Sequence, residues 1–422
     1  MLIELQKRPF SRPLFCWILG IYLYVFFPYH WTVSILILAL LLILVFSCTK
    51  NTQGYNNRWL WGLVFSFSVI VLAVLMCAHR DLMESYANAD HSLLNWANTV
   101  RERLFAQLER LQLTVPGRDV LEAILLGNAH SIDKEVRQQF SVTGVAHILS
   151  VSGFHVAVVC GFVRFLLSPF PSYGFFKWIK YGLTLCLLWI FTLITGLAVP
   201  SVRAALMLSF FLTGRTICRT TDSYNTLAAS AFFMLVYNPF NLFDIGFQLS
   251  YLAVWFILLL QPFLNNLIVL RNPLLAQPYH WITIAVAAQV GTAFLCLYYF
   301  GQFPALFLLA NLPFSFITTL LIPAGLVYLF LPDSLSGTGL LAICIEKMTG
   351  FLLYIVEAFS SYSWAAFIIP FDIFDVLLGY AFLFLFVLFV YRKRPVFLIL
   401  SLSVLTSFLI KILLESLWLP AI

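Results

Sequence analysis

Residues 14–27 read LFCWILGIYLYVFF and residues 31–46 read WTVSILILALLLILVF, and these two runs decide the solvent in which the chain folds. Each is uninterrupted and apolar, and a helix of such runs crosses much or all of a hydrocarbon layer about 30 Å thick. Comparable runs recur throughout the 422 residues, of which 62% are hydrophobic and 10% charged. A soluble protein of this length has too little interior to hide that much apolar surface, so its solvent is largely lipid. A transmembrane β-barrel shows short alternating segments, whereas these runs are continuous. The expected fold class is all-α: a polytopic, integral membrane helical bundle.

Working outward, the first run is followed at once by the second, with no small-residue cleavage site between them, so it is a span rather than a signal peptide. Further spans are expected at 59–78, 142–167, 181–199, 201–214, 226–237, 246–261, 281–300, 305–331, 343–365, 373–391 and 396–418. That makes about thirteen spans, several of them broken or re-entrant because of their prolines and short lengths. Lys7, Arg8 and Arg12 precede the first span and place the N-terminus in the cytoplasm by the positive-inside rule. Alternation then puts Lys50 and Arg58, Lys177 and Lys180, Arg215 and Arg219, Arg271, and Arg392 to Arg394 on the same side, with the C-terminus outside. Three parts follow: N-terminal spans (1–79), an extracytoplasmic segment (80–140) and a membrane domain (141–422). Within the second part, RERLFAQLERLQL (Arg101 to Leu113) has helical periodicity and alternating charge, and reads as an amphipathic helix with its leucines against the membrane surface.

Inside this apolar chain the polar groups are few and grouped. HILSVSGFHV (His147 to Val156) places His147 and Ser150, then Ser152 and His155, at i,i+3 on a continuous helix, with Gly153 allowing close approach of a neighbour. The serines and the glycine suit packing; two histidines in one span suit a polar pathway. TGLAVPSVRAAL (Thr195 to Leu206) carries Arg203 at the mouth or in the first turn of the next span, where snorkelling, an internal ion pair and contact with a phosphate all remain open. In NPFNLFDIGFQLSYLAV (Asn238 to Val254), Asp244 stands where a carboxylate caps a helix, and Gln248 carries polarity into the bundle. In GQFPALFLLANLPFSF (Gly301 to Phe316), Pro313 frees a carbonyl that Asn311 is placed to satisfy.

These four motifs, in this order, resemble the competence domain of the ComEC family over roughly residues 115–370. The resemblance implies an inner-membrane channel that passes single-stranded DNA during natural transformation. Its partners would be the DNA strand, membrane lipid, a cytoplasmic ATP-driven translocase and an extracytoplasmic DNA receptor. On that reading His147, Ser150, Ser152, Gly153, His155, Arg203, Asp244, Gln248 and Asn311 border the strand's path. The family's OB-fold and its HxHxDH nuclease domain have no counterpart motif here, so the chain resembles the channel portion alone.

Other classes have weaker support. A hydrolase would pair Ser152 with His155, but GxSxG is missing and two residues one turn apart transfer protons poorly. A metalloenzyme would draw on His147, His155 and Asp244, but HExxH is missing. The eight cysteines are scattered without a CxxC pair, and no P-loop is present. The expectation is therefore no enzyme activity, no catalytic residue, no metal and no cofactor, with a non-transporting membrane scaffold as a further alternative.

Overall fold

The computed structural model describes residues 8–27, 38, 41–42, 44–45, 58–84, 92–171, 173–217, 222–268, 270–331, 339–362, 364–369 and 371–418. The second expected span, 31–46, lies almost wholly outside these residues. The described chain is helical apart from one two-stranded sheet. In order it runs α1 (Ser11–Phe26), α2 (Arg58–Glu84), α3 (Ser92–Leu108), α4 (Val115–Leu126), α5 (Lys134–Val142), α6 (Gly153–Leu166), α7 (Gly174–Ile194), α8 (Val199–Thr216) and α9 (Ser223–Tyr237). It continues with α10 (Ile245–Asn265), α11 (Pro273–Phe300), β1 (Gln302–Pro304), α12 (Phe307–Leu329), α13 (Leu340–Ser360), β2 (Ala366–Ile368), α14 (Ile373–Arg392) and α15 (Pro395–Trp418). β1 and β2 pair antiparallel, Phe303 opposite Phe367.

Among the described residues six helices are long and apolar enough to cross a membrane: Gly62–Asp81 within α2, α7, α10, Leu275–Phe300 within α11, α12 and α14. At most 44% of any such window is buried in the protein, and only 11% of that in α10. Their apolar surface therefore faces outward, as a helix solvated by lipid requires.

Two apolar clusters organise the bundle. The larger joins α3 to α8 with α12 and α13, around Leu121, Ile124, Leu125, Phe140, Phe314 and Leu321. The smaller joins α1, α2, α9 and α10 around Trp17, Ala73, Leu235 and Phe247. Trp17 Nε1 donates to the Leu235 carbonyl at 3.1 Å, which pins α1 to α9. Helix α8 is the wall between the clusters: Ala205 and Leu212 belong to the larger, while Val199, Val202 and Leu206 pack on the smaller.

Three expectations are corrected. Residues 142–167 are not one span. Gly144, in left-handed conformation (φ 80°), ends α5 in a Schellman cap, with the Val145 N–H donating to the Phe140 carbonyl at 3.0 Å. A Cβ on Gly144 would come within 2.9 Å of the Pro304 and Phe307 side chains, so the turn needs glycine on both counts. A 3₁₀ turn (Ala146–Ile148) follows, and α6 starts only at Gly153. Second, the leucines of the amphipathic segment face protein rather than lipid: α3 ends at Leu108, and Leu108 and Leu111 lie in the larger core with Leu104 packed against it. Third, α12 runs unbroken through Pro313 and Pro323. By contrast, the break expected after Tyr237 is present, as a 3₁₀ turn (Pro239–Phe243) between α9 and α10.

The start of α14 carries a reciprocal cap: the Asp375 N–H donates to Asp372 at 2.8 Å and the Asp372 N–H donates to Asp375 at 3.0 Å. Lys411 of α15 reaches both carboxylates, at 2.9 and 2.6 Å. The lysine's hydrogen bond is the largest influence holding the Asp372 carboxyl down at about 2, against an ordinary 3.8. A lowered acid stabilises the fold above its ordinary value, so this share is lost as pH falls from about 4 toward about 2. The Asp375 side chain is only 4% exposed. Lys411→Gln is therefore expected to destabilise by about 3 kcal/mol, by stranding a buried carboxylate. Lys411→Gln combined with Asp375→Asn is expected to recover most of that loss in thermal unfolding of the solubilised protein.

Candidate functional site

The HILSVSGFHV stretch is built by helix ends. Ser152 is extended (φ −93°, ψ 173°) and forms the N-cap of α6, with His155 at the third helical position completing a capping box. His155 Nδ1 accepts from the Ser152 N–H at 3.3 Å and lies 2.9 Å from Ser152 Oγ. Accepting at Nδ1 puts the ring proton on Nε2, which is buried without a hydrogen-bond partner among the described residues. His155 is fully buried, whereas His147, Ser150 and Gly153 are exposed. His147 sits exposed on the 3₁₀ turn that precedes α6. The two imidazoles lie within electrostatic reach of each other. Ser150 Oγ donates to the His147 carbonyl at 3.3 Å. A Cβ on Gly153 would meet only the Ala204 methyl, at an ordinary 3.4 Å, so this glycine is not demanded by packing.

Three turns hold this loop in place. Ser201 Oγ, on α8, donates to the Val151 carbonyl at 2.7 Å. Gly127, the left-handed cap of α4, lies so close to the Thr195 carbonyl that a Cβ would sit at 2.7 Å. The α7–α8 turn passes through Gly196 (φ 84°) and Leu197 (φ 52°). A leucine in that region costs about 1–2 kcal/mol, which the surrounding contacts must offset. Beside Gly127, burial pushes the Glu122 carboxyl up, and the bond from Asn128 Nδ2 (3.1 Å) only partly opposes the shift.

Arg203, two residues beyond Ser201, is not at a mouth. It is 1% exposed, and its Nε and both terminal nitrogens have no hydrogen-bond partner among the described residues. Its guanidinium carbon lies 5.9 Å from the Phe247 ring and 5.7 Å from that of Tyr251. At that distance each ring returns about 0.5–1 kcal/mol, against several for taking an ion out of water. The guanidinium is therefore left without full compensation among the described residues. Asp244 is within electrostatic reach, yet its Oδ1 accepts from the Phe247 N–H at 2.7 Å, so the carboxylate serves as the exposed N-cap of α10.

Gln248 bridges Leu242, whose carbonyl accepts its Nε2 at 3.1 Å, and Tyr299, whose hydroxyl donates to its Oε1 at 2.8 Å. Asn311 is half-buried on α12, with no side-chain hydrogen bond to the described residues, so it does not satisfy the carbonyl freed by Pro313. The structure thus gathers His147, Ser150, Ser152, Gly153 and His155 at the head of α6. It brings Arg203 of α8 within electrostatic reach of Asp244 at the start of α10, turns Gln248 toward Tyr299 of α11, and leaves Asn311 on α12, which packs on α6. Phe247 and Tyr251 were not among the expected site residues; their i,i+4 spacing signals a shared face, though not the arginine beneath it. Among the described residues no three His, Cys, Asp or Glu side chains come together as metal ligands do.

Residues 124–395 match the family model described as Competence protein. Over 224 residues the chain is 27% identical to ComE operon protein 3 of Bacillus subtilis (strain 168). That alignment takes in 53% of this chain and 26% of the relative, so the chain corresponds to about a quarter of that protein's length. No solved structure matches the chain.

The capping geometry gives Ser152 a structural task. Ser152→Ala is expected to cost about 1 kcal/mol of stability, and Ser152→Asp to restore most of it, in thermal unfolding. Equal loss in both variants would show that the serine acts through something other than its cap.

Proposed function

We propose, from the premise that this chain belongs to the competence protein family, that it forms an inner-membrane channel for single-stranded DNA taken up in natural transformation. In this reading the chain crosses the membrane about thirteen times, some crossings being made by short or broken helices such as α6, with the N-terminus cytoplasmic and the C-terminus outside. The strand is delivered by an extracytoplasmic receptor and drawn in by a cytoplasmic ATP-driven translocase. His147, Ser150, Ser152, Gly153 and His155 border its path at the head of α6, Asn311 borders it from α12, and Asp244 and Gln248 hold the broken entry of α10 beside Arg203.

The observation that carries the proposal is the buried guanidinium of Arg203, without a hydrogen-bond partner among the described residues. A fork of N–H donors matches a phosphodiester better than any other abundant anion. One such group suits transit, because a row of strong phosphate contacts would hold the strand instead of passing it. Since Arg203 is 1% exposed, passage requires α8 and α10 to part around it. The Gly196–Leu197 turn and the Pro239–Phe243 turn, at the ends of those helices, are where the backbone would yield. The hydrolase reading loses ground because Ser152 and His155 are joined in a helix cap.

The decisive variant is Arg203→Met, measured as transformation frequency in cells whose own copy is deleted. An apolar side chain of similar length removes a buried, unpaired ion, so Tm is expected to stay level or rise. Transformation is expected to fall at least about tenfold, the weight of one charge-assisted contact, with partial recovery in Arg203→Lys. Unchanged transformation in Arg203→Met would sink the role given to this residue. The Ser150→Ala, Ser152→Ala double variant is expected to keep a measurable fraction of uptake; complete loss with a normal fold would favour chemistry over conduction. Topology is tested separately, by introducing cysteine at Arg110 and at Lys393 in a background without native cysteines. The two positions are expected to label from opposite sides of the membrane.

A further inference from the structure

At the other end of α6 lies a cavity of about 610 Å³ between α6, α7 and α8. Its lining includes Arg164, Lys177, Lys180 and Arg215, together with Phe165 and Tyr181, and contains no carboxylate. Gly161 opens onto free space, with nothing within 4 Å of where a Cβ would stand.

Helix ends explain only half of this charge. Arg164 and Arg215 sit in the last turns of α6 and α8, where cations complement the negative end of the helix dipole. Lys177 and Lys180 have the opposite placement. They occupy the opening turns of α7, at the positive end of its dipole, and the N-cap Tyr173 offers no side-chain acceptor. Two lysines beside exposed helix N–H groups, facing two arginines across a cavity, form a site that an anion completes. Lys180 also donates to the Phe170 carbonyl at 3.0 Å, which holds its ammonium at the rim.

The surroundings select the anion. Phe165 of the lining is 71% exposed, and Phe175 and Trp178, on α7 beside Lys177, are 75% and 52% exposed. Only 22% of the α7 window is buried, so this helix forms an outer wall of the bundle. A basic pocket between apolar helices, edged by outward aromatic side chains, presents acyl-chain surface and headgroup charge together. We propose that this cavity binds the phosphodiester headgroup of an anionic phospholipid, of the phosphatidylglycerol or cardiolipin class, with its chains lying along α7. A passing DNA strand is the less favoured occupant, since its phosphates would have to run along the apolar outer wall. The site stands independently of the DNA path assigned to Arg203.

The test uses the full chain in nanodiscs holding a minority of dioleoylphosphatidylglycerol in dioleoylphosphatidylcholine, with the lipid retained after partial delipidation read by native mass spectrometry. The wild type is expected to retain the anionic lipid preferentially. Lys177→Gln combined with Lys180→Gln is expected to reduce that preference by about fivefold for each cation removed, with unchanged helical content. Lys177→Arg with Lys180→Arg is expected to keep it. Adding Arg164→Gln and Arg215→Gln is expected to abolish it; if that fourfold variant fails to fold, the double variant decides. Equal retention by wild type and double variant overturns the proposal. So does displacement of the lipid by a single-stranded oligodeoxynucleotide from wild type but not from the double variant, which would assign the cavity to DNA. Transformation frequency in Arg203→Met stays a separate readout, so either proposal can fail without the other.

Discussion

Backbone hydrogen bonding in an apolar surround is the constraint on which everything else depends. In lipid each N–H and C=O must find its partner within the chain, so most of the structure is helix and what is not helix must be paired or shielded by protein. The irregular segments meet that demand by meeting each other. β1 pairs with β2, Ala305 N–H donates to the Ala365 carbonyl at 2.8 Å, and Ile369 N–H donates to the Gly301 carbonyl at 3.1 Å. Pro304 of β1 covers Gly144, while Gly127, Val151 and Thr195 close on one another. The chain thus concentrates its irregular backbone around the head of α6, where His147, Ser150 and Ser152 lie. Polar side chains and irregular backbone share one location because unpaired polar groups of either kind are costly in lipid.

Within this arrangement Arg203 is an energetic outlier. Buried hydroxyls nearby follow the ordinary rule: Thr192 and Ser209 donate to carbonyls four residues earlier, at 2.8 and 2.6 Å. Those bonds cost the helix little and leave nothing unpaired. The guanidinium has two aromatic faces and a distant carboxylate engaged elsewhere, which do not balance its desolvation. Its position on α8, the wall between the two clusters, supplies the compensation: both faces of that helix are packed, so the fold tolerates a local deficit of a few kcal/mol.

The helices were legible in the sequence because run length is the signal lipid imposes. The expected spans 226–237, 246–261 and 373–391 fall on α9, α10 and α14 with small shifts at their ends, whereas 181–199 starts about two turns after the start of α7 and ends at the start of α8. Failures came where a second constraint competes with hydropathy. SVTGVAHILSVSG is apolar enough to read as one span, but the threonine–glycine pair ends α5 and the serine at 152 caps α6, and the capping signals win. The leucines of α3 were assigned to lipid because periodicity reveals an apolar face without naming what covers it. Pro313 is carried by α12 because packing against α6, α11 and α13 leaves the helix no room to break. At the site, Asp244's capping role was readable from its position before an apolar helix. The rings above Arg203 were not, since no local pattern links α8 to α10.

On the two proposals, the two ends of α6 would serve tasks that conflict chemically. Conducting a polyanion calls for sparse charge, and holding an anionic headgroup calls for dense charge. The head of α6 presents hydroxyls, histidines and, through its neighbour α8, one guanidinium; at its foot Arg164 shares a cavity with Lys177 and Lys180 of α7 and Arg215 of α8. Gly153 and Leu166 stand about 20 Å apart at helical rise, roughly two Debye lengths at physiological salt. Across an apolar bundle screening is weaker, yet the foot faces the outer wall and its charge is directed toward lipid headgroups rather than the bundle interior. Keeping the dense cations there leaves the interior close to neutral, which is the condition under which a strand would be released from Arg203 in the proposed path.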